Sequence, residues 1–333
     1  MFLQHGLEDI GATWFLNLAN QSLGFLLADA GYDVYAGNSR GTDWTSHQTL
    51  STSSREFWDF SYDEMAEFDL PAQVELALNL SGESQLTYIG HSQGTLQAFA
   101  AFGDQAPGAV AEKIKLFVAL APVAYVNHVE AMVKLLADID LVNLLDLIGS
   151  DKFFSNMTFY ETLFPELCDH NPLSCESLLF AIGGVDKGNL NASRIEVYVH
   201  FTPGGTSTKN MLHWSQGVKH KRFAKYDYGY FGNEKHYGQH SPPLYDLSQV
   251  TVPTAIFTGG HDTLADPSDV TRLLAELPNS TVIYRKHIEK YEHLDFTWGI
   301  DTGYLIYPAI LDLIKNMTVM STAAARTAAA LGR

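Results

Sequence analysis

Hydrophobic positions in the first 125 residues follow two alternating spacings. Short apolar runs bounded by turn residues predict strands at 1–4, 32–36, 86–89 and 114–121. Apolar residues at helical spacing predict helices at 22–30, 62–80 and 95–102. We expect Gly31 to end the first of these helices and Pro71 to break or kink the second. Strands that alternate with helices are typical of a mostly parallel sheet flanked by helices, so the pattern predicts an α/β fold.

This alternation stops near residue 127 and resumes near residue 248. The interval contains an apolar stretch at 129–149 with interspersed aspartates, which predicts a helix with a broad apolar face. Later elements are predicted at 254–258 (strand), 267–276 (helix), 282–285 (strand) and 299–315 (helix). We therefore predict one core formed by 1–126 and 248–317, interrupted by a helical cap at 127–247. The alanine-containing tail, 318–333, is predicted to be disordered.

The run Gly90-His91-Ser92-Gln93-Gly94 lies between a predicted strand and a predicted helix. G-x-S-x-G at such a junction is typical of a nucleophile elbow, in which the serine occupies a strained turn. Glycines flank the serine because a side chain at either position would clash with the neighbouring strand or helix. The pattern predicts Ser92 as a catalytic nucleophile, and an ordinary serine loop is the alternative.

A serine hydroxyl is a weak nucleophile, so it needs a base and an acid that orients the base. In folds with this elbow, the acid and then the base follow the serine along the chain. Asp262 follows the predicted strand 254–258 after two glycines, and His293 lies in the loop before the last helix. Both positions fall at the carboxyl edge of the predicted sheet, where the elbow also projects. We predict that Ser92, His293 and Asp262 form a catalytic triad.

Other acidic and histidine residues compete for these two roles. Asp266 and Asp269 are predicted to cap the helix that begins near residue 267, and Asp295 to be a structural hydrogen-bond partner or a helix cap. His261 adjoins the predicted acid and His287 lies closer to the preceding strand, so both are less suitable than His293 as the base.

Acyl transfer also needs hydrogen-bond donors for the negative charge that develops on the substrate oxygen. One donor is the backbone N–H of the residue after the nucleophile, here Gln93. The second should come from the loop after the first strand, where His5-Gly6 precedes Leu7. The N–H of Leu7 is the natural candidate, and a plain strand-ending turn is the alternative.

Composition narrows the class of protein further. Hydrophobic residues make up 46% of the chain and charged residues 18%, which allows a substantial core. The formal charge of −17 argues against nucleic acid as a partner, because phosphate binding needs a positive field. No metal-ligand spacing, phosphate-binding loop or dinucleotide motif is present, so we predict neither metal nor cofactor, and no obligate protein partner is evident. The scattered His213, His220 and His236 are interpreted as surface or hydrogen-bonded side chains.

Two cysteines and six Asn-x-Ser/Thr triplets bear on the cellular compartment. Cys168 and Cys175 could close a small disulfide loop or remain two thiols. The triplets together with the cysteine pair favour the secretory route, and the candidate glycosylation sites are Asn20, Asn79, Asn156, Asn191, Asn279 and Asn316. Residues 1–6 nevertheless lack the basic and apolar regions of a signal peptide. No run of about 20 apolar residues is present, so no transmembrane segment is predicted.

Several motifs along the chain resemble those of one family. They lie at 3–7 (LQHGL), 27–34 (LADAGYDV), 37–41 (GNSRG), 60–65 (FSYDEM), 90–94 (GHSQG), 120–124 (LAPVA), 203–207 (PGGTS), 259–262 (GGHD), 264–267 (LADP) and 293–296 (HLDF). Together they are similar to the acid lipase family of α/β-hydrolases, of the gastric and lysosomal type. The likeness covers about 1–315, including the region of the predicted cap.

The resemblance implies an α/β-hydrolase fold with a helical lid, the triad Ser92, Asp262 and His293, and an oxyanion hole from Leu7 and Gln93. It implies hydrolysis of triacylglycerols or cholesteryl esters at a lipid–water interface by secreted, lysosomal or vacuolar glycoproteins. It also implies a disulfide in the cap, in the region of Cys168 and Cys175, although their spacing is shorter here. Family members carry a signal peptide and a hairpin before the strand equivalent to 1–4. We therefore expect the amino-terminal strands to be missing from this chain, as in a fragment or a truncated product.

Three functions are compatible with these observations. The leading hypothesis is a lipase that acts on neutral lipid esters through an acyl-enzyme. An esterase for soluble esters, or a steryl-ester hydrolase, is the alternative within the same chemistry. A non-catalytic lipid-binding relative or an inactive truncated product is the alternative from another class. The apolar stretch 129–149 could line a tunnel for an acyl chain, but its periodicity alone favours plain core packing.

Overall fold

The computed structural model describes residues 1–103, 109–129, 151–153, 184, 186 and 188–317. The strands in this part of the chain are β1 (Phe2–Gln4), β2 (Tyr35–Gly37), β3 (Leu86–His91), β4 (Ile114–Leu120), β5 (Lys152–Phe153), β6 (Thr206–Ser207), β7 (Thr254–Gly259) and β8 (Val282–Ile288). A six-stranded parallel sheet has the spatial order β2-β1-β3-β4-β7-β8. The short strands β5 and β6 form a separate antiparallel pair. The prediction of an α/β fold with a parallel central sheet is confirmed.

The helices connect and flank these strands. They are α1 (Leu23–Asp29), α2 (Tyr62–Glu64), α3 (Leu70–Ser81), α4 (Gln93–Phe102), α5 (Ile195–Phe201), α6 (Thr208–His220), α7 (Gly229–Tyr237), α8 (Pro267–Glu276), α9 (Asp295–Trp298) and α10 (Thr302–Leu305). A further helical run covers 307–317. Shorter 3₁₀ turns lie at Gly11–Phe15, Ala19–Gln21, Arg55–Trp58, Val110–Lys113, Ala192–Arg194 and Leu247–Gln249.

The strand that leads to Ser92 lies in the centre of the main core. Every residue of β3 is buried. Tyr88 of this strand packs edge-on against Phe102 and Phe117, with ring centroids 5.7 and 5.6 Å away. Phe99 of α4 contacts Phe117 at 5.1 Å. Burial of each such ring stabilises the fold by roughly 1.5–3 kcal/mol. The strand and the helix on either side of Ser92 are therefore fixed to the same aromatic cluster.

The second strand begins later than its hydrophobic pattern predicts. The amide of Gly31 bonds the carbonyl of Ala28, and the amide of Tyr32 bonds the carbonyl of Leu27. Gly31 adopts φ +87°, so it ends α1 as predicted. Because these helix-ending bonds involve Tyr32, the extended pairing with β1 starts only at Tyr35.

The chain stays helical through Pro71, and the predicted break is instead a widened turn. Residues Met65–Asp69 form a π-helix between α2 and α3, and the amide of Leu70 bonds the carbonyl of Met65, five residues back. Proline near the start of α3 has no N–H to donate and is tolerated in a first helical turn. The π-turn therefore lets one continuous helical segment accommodate Pro71.

The predicted helix 299–315 is divided into shorter pieces. Gly299 has extended backbone angles and forms an antiparallel bridge with Leu190. The amide of Ile300 donates to the carbonyl of Asn189. Since this backbone pairs with another segment, it cannot take part in a helix, so α9 ends at Trp298 and α10 starts at Thr302.

The described part of 127–247 contains α5, α6 and α7, together with the unpredicted strand pair β5–β6. The strands of the main sheet come from 2–120 and from 254–288. Several predictions lie outside the described residues: the helix at 129–149 (except residue 129), Cys168, Cys175, Asn156 and the tail 318–333. The division into a core and a cap stays a prediction.

Candidate active site

Ser92 occupies the turn between β3, which ends at His91, and α4, which begins at Gln93. Its backbone angles are φ 54° and ψ −121°. A non-glycine residue with positive φ is strained, and such strain persists only where the surrounding structure enforces it. The buried strand and helix on either side provide that enforcement, so the predicted strained elbow is present at Ser92.

Two glycines let the elbow pack closely against its surroundings. A Cβ on Gly90 would lie 2.8 Å from the carbonyl carbon and oxygen of Gly94. A Cβ on Gly94 would lie 2.6 Å from the carbonyl oxygen of Gln4 and 2.8 Å from that of His5. Real Cβ contacts are essentially never this short, and these neighbours are backbone atoms that cannot move aside. Glycine is therefore needed at both positions, and the elbow lies directly against the end of β1.

Asp262 and His293 form a buried pair at the carboxyl edge of the sheet. Nδ1 of His293 lies 3.0 Å from each carboxylate oxygen of Asp262. Oδ1 of Asp262 also accepts the amides of Leu264 and Ala265, at 3.0 and 2.7 Å. Burial acts to raise the pKa of Asp262, but the His293 ring and these two amides together hold it below its usual value. These contacts favour the ionised carboxylate, which fixes the orientation of the His293 ring.

The other ring nitrogen of His293 is available for chemistry. Nε2 is buried and has no hydrogen-bond partner within the described part of the chain. The ring lies beside the elbow, because His91 donates from its Nε2 to the carbonyl oxygen of His293 at 2.9 Å. The centroids of the two imidazole rings are 4.9 Å apart. The structure thus brings the loop of His293 to the residue that precedes Ser92, with an unpaired nitrogen in the same buried space.

His91 itself remains neutral. Burial, and then the charge of His293, lower the pKa of His91 to about 3. A nitrogen that bonds a carbonyl oxygen must carry the proton, so the proton of neutral His91 is on Nε2. No local pattern near His91 indicates this contact, since its partner lies 202 positions away.

The competing residues have other roles. Asp266 caps α8 as predicted, because its side chain accepts the amide of Ser268. The prediction that Asp269 caps this helix is wrong: its carboxylate accepts the amide and ring Nδ1 of His128, both at 2.9 Å. Asp295 accepts the amide of Glu292 at 2.7 Å, which confirms it as a structural hydrogen-bond partner.

The competing histidines also differ from His293 in their surroundings. His287 is half-exposed and bonds Thr258 Oγ1 at 2.9 Å and Glu289 Oε2 at 3.0 Å. His261 is exposed. Of the scattered histidines, His213 is buried between Ser61 Oγ and the carbonyl of Ala224, whereas His220 and His236 are exposed, as interpreted from the sequence.

The two predicted oxyanion donors border the same turn. A Cβ on Gly6 would lie 2.9 Å from Cβ of Ser92 and 3.4 Å from its Oγ, so the residue before Leu7 lies directly against Ser92. Gln93 is the first residue of α4, where amides have no partner within the helix. Within the described residues, neither the amide of Leu7 nor that of Gln93 donates to the chain.

His5 orients the peptide that carries the Leu7 amide. Nδ1 of His5 donates to the carbonyl of Gly6 at 2.8 Å, and its Nε2 accepts the amide of Ser39 at 3.0 Å. Burial lowers the pKa of His5 to about 4, so the ring stays neutral with its proton on Nδ1. Because the C=O and N–H of a trans peptide point in opposite directions, the Leu7 amide faces away from the His5 ring.

A buried carboxyl group lies two residues beyond Leu7. Oδ1 of Asp9 accepts the amide of Ile10 at 2.9 Å, while its Oδ2 is buried with no partner among the described residues. Burial raises the pKa of Asp9 to about 7, despite hydrogen bonds that act in the other direction. The ionised form of Asp9 is therefore unfavourable in the folded chain.

Asp9→Asn should stabilise the fold at alkaline pH but not at acidic pH. The cost of ionising Asp9 in the folded state is absent below its ordinary pKa of 3.8 and complete above about 7. The variant should therefore gain up to about 4 kcal/mol in free energy of unfolding at pH 8 and almost nothing at pH 4. Urea unfolding of both proteins at the two pH values measures this. A difference that does not change with pH would contradict it.

Most of the candidate glycosylation sites lie on the surface. The asparagines at 20, 79, 279 and 316 are exposed. Asn191 is partly buried, and its side chain accepts the amide of Ser193 at 3.2 Å.

Among the helices of the described residues, none has the length and apolarity needed to cross a membrane.

Comparison with known proteins assigns this chain to a family. Residues 1–300 match the family described as alpha/beta hydrolase fold. Lysosomal acid lipase/cholesteryl ester hydrolase of Macaca fascicularis is 46% identical over 320 residues, which cover 95% of this chain and 79% of that protein. Gastric triacylglycerol lipase of Bos taurus is 47% identical over 321 residues, or 95% of this chain and 80% of that protein.

A solved structure shows the same fold at low sequence identity. The crystal structure of Paleococcus ferrophilus monoacylglycerol lipase aligns with a TM-score of 0.57 and 17% identity, over 95% of this chain and 93% of that chain. At this identity the likeness shows the fold alone, whereas the two sequence relatives carry the family assignment. The chain therefore belongs to the acid lipase family of α/β-hydrolases.

Proposed function

We propose that this ester hydrolase is a lipase that cleaves the ester bonds of neutral lipids, with Ser92 as nucleophile, His293 as base and Asp262 as the acid that orients the base. The observation that carries the proposal is the buried Asp262–His293 pair. The His293 ring lies 4.9 Å from that of His91, the residue before the strained Ser92, and its Nε2 has no hydrogen-bond partner among the described residues. The names of the relatives above support triacylglycerols and cholesteryl esters as the substrate class.

In the acylation step, Nε2 of His293 takes the proton of Ser92 as Oγ attacks the ester carbonyl carbon. The amides of Leu7 and Gln93 donate to the oxygen that becomes negative, a stabilisation worth roughly 3–4 kcal/mol per donor. Asp262 accepts from Nδ1 and stabilises the positive charge on the ring. When the carbon–oxygen bond breaks, His293 gives its proton to the departing alcohol.

In the deacylation step, the same groups act on water. Nε2 of His293 takes a proton from water as its oxygen attacks the acyl carbon, and the two amides again hold the oxyanion. The bond to Ser92 Oγ then breaks, the proton returns to Oγ, and the fatty acid leaves. Both steps require Oγ and Nε2 to approach within hydrogen-bond distance, a contact that is often longer in ligand-free enzymes and tightens with substrate.

The proposal of a lipase, rather than an esterase for dissolved esters, is tested by the physical state of the substrate. We expect the rate per enzyme to rise when a triacylglycerol passes from solution into an emulsion, because a lipase gains activity at an interface. Fatty-acid release from short- and long-chain triacylglycerols, titrated across the solubility limit, measures this. Equal or lower activity on the emulsion would favour a general carboxylesterase.

We also propose that the protein is a secreted or lysosomal glycoprotein and that 127–247 forms a cap beside the site. The exposed asparagines of four of the candidate sequons support glycosylation. The compartments named for the relatives support the location. Hydrogen bonds from α6 to the elbow support a cap that adjoins the nucleophile. Cys168 and Cys175 are proposed to form its disulfide.

A further inference from the structure

The side chain of Gln93 is held by a helix that follows it by more than a hundred residues. Its Oε1 accepts from Nδ2 of Asn210 at 2.9 Å and from Nε1 of Trp214 at 2.7 Å, both on α6. An indole nitrogen can only donate, so the atom it bonds must be the amide oxygen, which fixes the orientation of the Gln93 amide group. Nε2 of Gln93 faces Sδ of Met65 at 3.6 Å.

This contact lies in the interior. Gln93, Asn210 and Trp214 are 2%, 0% and 4% exposed. Where water is excluded, a lost hydrogen bond is not replaced by one to solvent. Removal of either donor therefore leaves Gln93 Oε1 with one hydrogen bond instead of two. Two further hydrogen bonds hold Asn210 in place. Its backbone N–H donates to Ser207 Oγ, and its Nδ2 also donates to Thr206 Oγ1.

The anchored residue also carries one of the two amides assigned to the oxyanion. Gln93 is the first residue of α4 and follows directly on the strained Ser92. Its side chain and its backbone N–H share one Cα, so a side chain fixed at its far end limits how the peptide 92–93 can tilt. An oxyanion donor must be aimed within a fraction of an ångström of its position in the transition state.

We propose that Asn210 and Trp214 are positioning residues, which act through the Gln93 side chain to aim the Gln93 amide at the oxyanion. The inference rests on the proposed acyl-enzyme function and adds to it a dependence on α6. A shift of α6 would then change the chemical step rather than substrate binding, since neither residue is assigned a contact with the substrate.

Trp214→Phe tests this with little change in shape, because it removes the indole N–H and keeps an aromatic ring. We expect kcat on a soluble short-chain ester to fall about tenfold while KM changes less than twofold. Trp58→Phe is the matched control: its buried indole donates to the carbonyl of Thr52, away from the elbow, and kcat should stay within twofold. Thermal unfolding compares the stability of both variants.

The same substitution in a Gln93→Met background separates positioning from general stability. Methionine keeps the length of the side chain but lacks the acceptor, so Trp214→Phe should cause no further loss of kcat there. A tenfold loss in both backgrounds, or an unchanged kcat in Trp214→Phe alone, would overturn the inference. If Trp214→Phe does not fold, Asn210→Ala in the two backgrounds replaces it. A folded wild-type protein without ester hydrolysis would instead overturn the proposed function and this inference with it.

Discussion

Replacing His293 with alanine is expected to reduce kcat by roughly 10⁵- to 10⁶-fold, with the protein still folded. The reason is that Nε2 of His293 is the one group assigned to take the Ser92 proton and to return it to the leaving alcohol. The ring bonds only Asp262 through Nδ1 among the described residues, so its loss removes the base without breaking a larger network. Hydrolysis of a soluble ester at fixed pH measures the loss.

The control for this variant is His287→Ala. His287 lies on β8, close to His293 in sequence, but it is half-exposed and bonds Thr258 and Glu289. Its removal should leave kcat within twofold. A His293→Ala protein that keeps a tenth or more of the wild-type rate would contradict its assignment as the base.

Asp262→Asn should lower kcat by about 10⁴-fold, although the two side chains have almost the same shape. The oxygen of asparagine can still accept the amides of Leu264 and Ala265, which bond Oδ1 in the wild type. The NH₂ group would then face Nδ1 of His293 as a donor. Nδ1 would then act as the acceptor, so the His293 ring would carry its proton on Nε2. In that tautomer Nε2 cannot accept the proton of Ser92.

Asp266→Asn provides the matched control, four residues further along the chain. Asp266 caps α8 through the amide of Ser268, and asparagine caps helices about equally well. This variant should show wild-type kcat and an unchanged unfolding midpoint. A comparable fall in both variants, or a loss of less than tenfold in Asp262→Asn, would be incompatible with the proposed role of Asp262.

The parts of the site that sequence could predict are those with a local signal. Gly90 and Gly94 flank a serine directly after a buried strand, and the same residues prove necessary because a Cβ at either would strike backbone. The positions of Asp262 and His293 follow from the order of elements along the chain, since parallel strands direct their carboxyl ends to one edge. Each of these inferences needs only a few adjacent residues and the knowledge that they follow a strand.

The parts that could not be predicted depend on contacts between distant segments. Asp269 looked like a helix cap, but it bonds His128, which is 141 positions away. Nothing near Gln93 indicates that Trp214 will bond it, 121 positions later. The predicted helix at 299–315 has helical periodicity, and it is interrupted because residues 299 and 300 pair with backbone from 189 and 190. Tertiary hydrogen bonds of this kind override local preference and leave no pattern in the segment itself.

The tautomers of the two neutral histidines beside the site could not be predicted from the sequence either. His5 and His91 lie within the motifs that predict the oxyanion loop and the elbow. Their tasks depend on which nitrogen carries the proton, and the partners decide that: the Gly6 carbonyl for His5 and the His293 carbonyl for His91. Sequence names such residues but cannot assign their tautomers.

Covalent labelling tests whether Ser92 is the nucleophile of an acyl-enzyme. The folded wild-type protein is treated with a fluorophosphonate and examined by intact mass and by peptide mapping, with Ser92→Ala and His293→Ala alongside. We expect one adduct per chain, on the peptide that contains Ser92. It should be absent from Ser92→Ala and form far more slowly in His293→Ala. An adduct that persists in folded Ser92→Ala, or no adduct on the folded wild type, would contradict this expectation.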